Sequence, residues 1–315
     1  MKLHFGLLAM LVSVMTAASA MAQPNPLRGQ QPSGAAAQPD QPVRPQIPVL
    51  IQRPRQLAAE QPPSAPQPPF TLTAQEESQV DQVLKQWEQR NQDVKTFDCD
   101  FKRWIYDTVF GPADKAKFVE SGVIQYAAPD RGKFFVERAE KDGKESPIDD
   151  ARADHWICDG KSIFEYSPQK KQVIEHKLPP EVQGKAIANS PLPFLFGAEA
   201  KNLKQRYFIR IITPPDEKNQ IWLEAYPRLQ QGAANFHHAV FIVKSEGMSP
   251  YALKLVQPNG KDYTTYQFYN IVLNDPLRLF KGDPFRAYVP LGWQMVPDAA
   301  PPASQARRPA EGGQR

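Results

Sequence analysis

From Thr96 onward the hydrophobic period of this chain is two, and it stays two over most of the next 180 or so residues. In "TFDCDFKRW", Phe97, Cys99 and Phe101 alternate with Asp98, Asp100 and Lys102, the pattern of a strand with one apolar face. Similar runs recur at 118–126, 133–138, 154–158, 162–167 and 171–177, then at 207–212, 220–226, 236–244, 251–257 and 262–273. Turn chemistry separates them: Pro129-Asp130-Arg131-Gly132, Asp159-Gly160, Ser167-Pro168 and Pro258-Asn259-Gly260. Short connections imply antiparallel neighbours. The expectation is a mainly β protein with a few helices (α+β), a curved antiparallel sheet or incomplete barrel of about 10–11 strands covered by helices.

One helix precedes the strands. In "TLTAQEESQVDQVLKQWEQRNQDV", Thr73 and Glu76 fit a capping box, and Val80, Val83, Leu84 and Trp87 share one face. The spacing predicts a helix over 73–93 that lies on the sheet. The strand pattern breaks at "GKAIANSPLPFLFGAEAKNLKQRY" (184–207), where Pro191 and Pro193 exclude a strand or long helix. An apolar loop followed by a short helix is expected there, over the open face of the sheet.

The ends have a different composition. Lys2, an apolar run from Phe5 to Val14 and the small residues "TAASAMA" read as a signal peptide (1–22), cleaved after Ala20 or Ala22. That run is short for a membrane span, and no cysteine lies nearby for lipid attachment. The expectation is a periplasmic or otherwise extracytoplasmic protein, with no stable membrane insertion after signal removal. Residues 23–70 hold 13 Pro and 10 Gln and read as a disordered linker, as do residues 298–315 as a tail. The linker has one apolar island, "IPVLIQ" (47–52), either a docking segment or a chance cluster. Residues 71–297 are left as one domain.

Charge excludes one class of partner. The net charge is +4, but the signal, linker and final residues carry more than all of it, so 71–298 is close to neutral. The basic balance is therefore no argument for nucleic acid. Chemistry is equally unsupported. His237 and His238 are adjacent, and on a regular strand they face opposite ways, so one ion cannot take both. Asp149-Asp150 and Asp154-His155 sit in "EKDGKESPIDDARAD", which reads as a solvated connection. No catalytic residue, metal site or cofactor is expected. Cys99 and Cys158 form an even count in an exported chain, which points to a disulfide. Two separate buried thiols are the alternative.

Four motifs in order carry a family resemblance: "TFDCDF" (96–101), "GVIQYAAP" (122–129), the hairpin "WICDGKSIFEYSPQKKQ" (156–172) and "NSPLPFLF" (189–196). Together they resemble the outer-membrane lipoprotein carrier family, LolA, and most nearly the exported LolA-like proteins of planctomycetes. The resemblance spans roughly residues 74 to 290. It implies a half-barrel whose concave apolar face holds acyl chains, each methylene contributing about 0.8 kcal/mol on burial. It implies no enzyme. In the proteobacterial carriers an arginine stands just before the Pro of the second motif; here that residue is Ala128, and Arg131 comes after the turn.

The candidate cavity lining is drawn from the aromatic strand positions and the apolar loop. On the strands it comprises Phe97, Phe101, Trp156, Phe164 and Tyr166, with Trp222, Tyr266 and Phe268 later. On the loop it comprises Leu192, Phe194, Leu195 and Phe196. The expected ligand is an acyl-chain lipid or lipoprotein. The alternative is a periplasmic sensor or regulatory domain that binds an envelope protein on the same fold, a role that the long linker suits.

Overall fold

A computed structural model describes residues 67–112, 114–149, 153–184 and 199–298. The helix α1 (Ala74–Gln92) begins as the sequence predicts. Thr73 is its N-cap, the Glu76 amide donates to Thr73 Oγ1, and the Thr73 amide donates to Glu76 Oε2 at 2.8 Å. Val80, Leu84, Trp87 and Asn91 are buried, while Val83 is half-buried. Asn91 Nδ2 donates to the Trp87 carbonyl, which satisfies a group that the helix end would otherwise leave free.

Eleven strands fall on the expected runs. They are β1 (Thr96–Tyr106), β2 (Phe118–Ala127), β3 (Arg131–Lys141), β5 (His155–Cys158), β6 (Ser162–Ser167) and β7 (Gln172–Lys177), then β8 (Tyr207–Ile211), β9 (Gln220–Pro227), β10 (His238–Lys244), β11 (Pro250–Val256) and β12 (Tyr263–Leu273). Two more were not legible: β4 (Lys144–Pro147) and β13 (Gln294–Pro297). β4 is exposed throughout and β13 almost so, so neither carries a period-two burial signal. Two short helices, α2 (Ala200–Arg206) and α3 (Gln230–Asn235), precede β8 and β10.

The sheet order is β13-β7-β6-β5-β3-β2-β1-β12-β11-β10-β9-β8, with β4 on β3. Two meanders, β1 to β7 and β8 to β12, are joined at the centre by the β1–β12 pair. Every pairing is antiparallel except β13 on β7, so the sheet is mixed and not purely antiparallel. Among the described residues it is open, with β13 and β8 at its edges.

Register sorts the side chains into two faces, because directly opposed residues share a face. On the inner face Phe101 opposes Gly122 and Phe268, Ile124 opposes Cys99 and Phe134, and Phe134 opposes Trp156. Leu253, Phe241, Leu223 and Ile211 continue this face to β8. α1 covers the β8–β12 half, with Trp87 edge-on to Phe241 at 5.2 Å. Leu178 and Val182 join the same core after β7. Much of the outer face is solvated, but Ala127, Ile157, Phe164, Tyr166 and Val173 form a second core beneath Phe285, Ala287 and Trp293. A C-terminal strap thus covers the back of the first meander.

Candidate functional site

The inner face is apolar over most of its width, and its centre is an aromatic row. Trp156 stacks on Phe134 at 6.0 Å, Phe134 on Phe101 at 4.9 Å, and Phe101 meets Tyr266 at 5.8 Å. Phe101 and Phe134 come from strands on either side of β2, and the β2 residue opposite Phe101 is Gly122. A Cβ at Gly122 would lie 1.9 Å from the Phe135 carbonyl oxygen, because the β2–β3 register shifts at that point. Only glycine allows the two backbones to approach there.

Five of the sequence-predicted lining residues, Phe97, Phe101, Trp156, Tyr266 and Phe268, lie together on this face and are buried. Three do not. Phe164 and Tyr166 are on the outer face beneath the strap, and the Tyr166 hydroxyl accepts from the Tyr288 amide and donates to its carbonyl. Trp222 opposes Ile242 and is also outward, its indole donating to Gln220 Oε1. Alternation groups residues of one strand, but it does not say which group faces inward when both faces are covered. Leu192, Phe194, Leu195 and Phe196 lie outside the described residues. Phe134 and Phe241 belong to the inner face as well, and Trp87 packs on it from α1; Trp87 was expected on the buried face of the helix, while Phe134 and Phe241 fall on strand runs without having been singled out.

Two donors on this face lack acceptors among the described residues. Trp87 Nε1 and Trp156 Nε1 are fully buried without a hydrogen-bond partner there. Buried indole N–H groups are ordinarily satisfied.

One end of the apolar face carries an ion cluster that no sequence motif singled out. Arg103 is inward on β1 and donates to Glu120 through Nε at 2.8 Å, while its Nη1 donates to Asp154 at 3.1 Å. Its guanidinium also stands over the Phe134 ring at 5.7 Å. Burial disfavours the charged guanidinium, but Tyr266, Asp154 and Glu120 outweigh it and hold the group protonated. Asp154 is thus not part of a solvated loop. Nor is His155, which stacks on Tyr166 at 4.1 Å and is held neutral, its pKa driven down to about 3 by burial and by Lys133. Arg131, the arginine after the Ala128-Pro129 turn, points outward over the Phe285 ring.

The disulfide is not formed: Cys99 and Cys158 are both free and buried. They share the inner face, but β2 and β3 lie between β1 and β5. Three inter-strand steps separate them by roughly 14 Å, against a Cα limit of about 7 Å. Burial raises both thiol pKa values, that of Cys158 to about 12. His237 and His238 also depart from expectation. His237 precedes β10, so alternation does not apply to it, and the two Nδ1 atoms approach to 2.8 Å. Among the described residues, no group of three or more His, Cys, Asp or Glu is arranged to hold a metal ion.

Among the described residues, two depressions lie beside α1, away from the aromatic row. One, about 790 Å³, is an open charged hollow between α1 and α2 that includes Asp81, Lys85, Glu88 and Lys204. The other, about 300 Å³, runs along β8 and is lined by Leu72, Val80, Phe208 and Ile209 among others. No described helix is long and apolar enough to cross a membrane.

No family model matches the chain. It is similar to the outer-membrane lipoprotein carrier protein of Bordetella avium, 29% identical over 118 residues, which is 38% of this chain and 46% of that protein. The match thus spans less than half of that relative. Similar solved structures include an uncharacterized conserved protein from Thermus thermophilus (10% identity, TM-score 0.38, 70% of this chain and 99% of that one). A LolA superfamily protein from Nitrosomonas europaea has 12% identity and a TM-score of 0.31, over 68% of this chain and 99% of that one. The MucA/MucB complex of Pseudomonas aeruginosa has 11% identity and a TM-score of 0.33, over 62% and 57%.

Proposed function

We propose that this protein is an extracytoplasmic, non-enzymatic carrier that holds the acyl chains of a lipid or lipoprotein against the inner face of its sheet. The observation that carries the reading is the pair of buried indole donors, Trp87 Nε1 and Trp156 Nε1, unpartnered among the described residues and set among apolar side chains away from the Arg103 cluster. A closed hydrocarbon core has no use for such donors, whereas an acyl ester or amide brings carbonyl acceptors together with its methylenes. The similarity to a lipoprotein carrier supports the same reading. Phe97, Phe101, Phe134, Tyr266 and Phe268 would then contact hydrocarbon.

Tryptophan quenching by a bromine-labelled acyl lipid tests this on the full chain. Trp87 and Trp156 are inward, while Trp222 is outward and Trp293 lies in the outer core, so contact with hydrocarbon should quench only the inward pair. Quenching should vanish in Trp87→Phe/Trp156→Phe and persist in Trp222→Phe. Phe268→Glu should weaken uptake, since a carboxylate facing hydrocarbon costs several kcal/mol. Absence of quenching in delipidated parent protein, or its survival in the double variant, refutes the reading.

A second reading, a regulatory domain that captures an envelope protein, is favoured by exposed apolar residues beyond β12. Phe280 is 86% and Leu277 59% exposed, on a single turn that follows the sheet. Leu277→Ser/Phe280→Ser should leave acyl quenching intact and abolish partner capture if that reading holds.

A further inference from the structure

We propose a second ligand site, for a single fatty-acid chain, where residues 68–72 and the first turns of α1 meet β8. This inference does not depend on the carrier reading, because the site lies away from the aromatic row. Two depressions meet there. The groove of about 300 Å³ has an apolar lining in Leu72, Val80, Phe208 and Ile209. The open hollow between α1 and α2 is charged, and Lys204 and Arg228 line both depressions. An apolar slot that opens on a cationic mouth is complementary to an anionic amphiphile.

Arg228 is the anchor. It follows β9, and its amide donates to the Arg206 carbonyl at 2.8 Å while its Nε donates to the Tyr207 carbonyl at 3.0 Å. The guanidinium carbon stands 4.0 Å from the Phe208 ring centroid. These contacts hold the plane of the group and use one of its five side-chain N–H donors. Among the described residues no carboxylate pairs with it, whereas Arg210 on β8 is bonded to Glu224 at 2.6 Å. A stacked guanidinium with its Nη edge unengaged is a preformed bidentate receptor for a carboxylate.

Charge and volume select the ligand. The two depressions together are lined by four cations and three carboxylates, which leaves one positive charge. Lys204 is already paired with Asp81 at 2.5 Å, so the surplus falls to the other cations, Arg228 among them. One surplus charge matches a monoanionic carboxylate better than a dianionic phosphate. A methylene takes slightly less than the roughly 30 Å³ share of a water molecule in the liquid, so the groove admits on the order of ten carbons. That is one chain, and not the paired chains of a diacyl lipid.

Backbone amide chemical shifts of Leu72, Phe208 and Ile209 in the full chain report the site. Decanoate should shift them saturably. Decanol has the same tail without the charge and should bind at least about tenfold more weakly; acetate, the head alone, should leave them unmoved. Arg228→Gln should weaken decanoate at least about tenfold. Arg228→Lys should restore only part of that loss, since an ammonium keeps the charge but not the paired donors. The decanoate and decanol comparison needs only the parent protein, so it holds even where a substitution disturbs β8. Absence of shifts with decanoate, equal affinity for decanol, equal shifts with acetate, or unchanged affinity in Arg228→Gln each overturns the proposal. Shifts at Phe101 and Phe268 in place of these three would put the chain on the aromatic row and overturn the separate site.

Discussion

Replacing Arg103 by methionine should be among the most damaging single changes in the protein. The guanidinium is buried, with two bonds to a Glu120 carboxylate whose side chain is 1% exposed and a third to Asp154 at 21%. Methionine fills much of the arginine stem but leaves the Glu120 charge in an apolar wall, and removing one partner of a buried pair costs about 3–5 kcal/mol. For a domain of this size, a urea slope of about 2–3 kcal/mol per molar turns that into a midpoint lower by about 1–2 M. The assay is urea unfolding followed by circular dichroism, on Arg103→Met and on Arg103→Met/Glu120→Met. The double variant removes both charges, so it should recover at least half of the loss even though it changes more atoms. A single-variant shift below about 0.3 M would mean that water reaches the cluster and that Glu120 was never dependent on Arg103. A double variant worse than the single would show that the cluster contributes packing rather than charge compensation.

Gly122→Ala should lower stability by at least about 2 kcal/mol, because the new methyl meets the rigid Phe135 carbonyl at 1.9 Å rather than a side chain that can move; thermal unfolding measures it. Under denaturing, non-reducing conditions both Cys99 and Cys158 should alkylate completely, and in native protein at pH 8 they should react far more slowly, as buried thiols with raised pKa values do. His176 lies between Glu165 and Asp298; burial pulls its pKa down, but the two carboxylates prevail and raise it above the usual value. Its contribution is therefore complete below about pH 6.5 and lost as pH rises through the raised folded value. Exchange of the β13 amides should accelerate over that range, and Asp298→Asn should reduce the pH dependence.

How much was legible depends on what alternation encodes. Thr73 and Glu76 fixed the start of α1 because a cap is a local bond between near neighbours. The other eleven strands were legible because at least one side of each is buried against something. β4 and β13 were not, since KESP and QMVP expose nearly every side chain and exist as strands only through backbone bonds to β3 and β7. Nothing in four solvent-facing residues marks such a partner.

The site was legible to the same depth and no further. Within a strand, period two states which residues travel together, so Phe97 and Phe101, or Tyr266 and Phe268, were correctly grouped. It does not assign the group to a face when the back of the sheet is also covered. The strap after Asp283 brings Phe285 against Ile157 and Phe164, so Phe164 and Tyr166 are buried like Trp156 and yet look away from it. The same parity held the signal for Arg103. It stands two residues after Phe101, in the inward set Phe97, Cys99, Phe101, and a charge in that position requires an opposite charge across the strand pair. The strand partner that supplies it, Glu120 on β2, is equally inward by count from Gly122 and Ile124. Two inward charges at facing ends of one hairpin are a sequence-level sign of a buried ion pair. What they need in addition is Asp154, and its arrival through β5 is a tertiary fact that no local pattern carries.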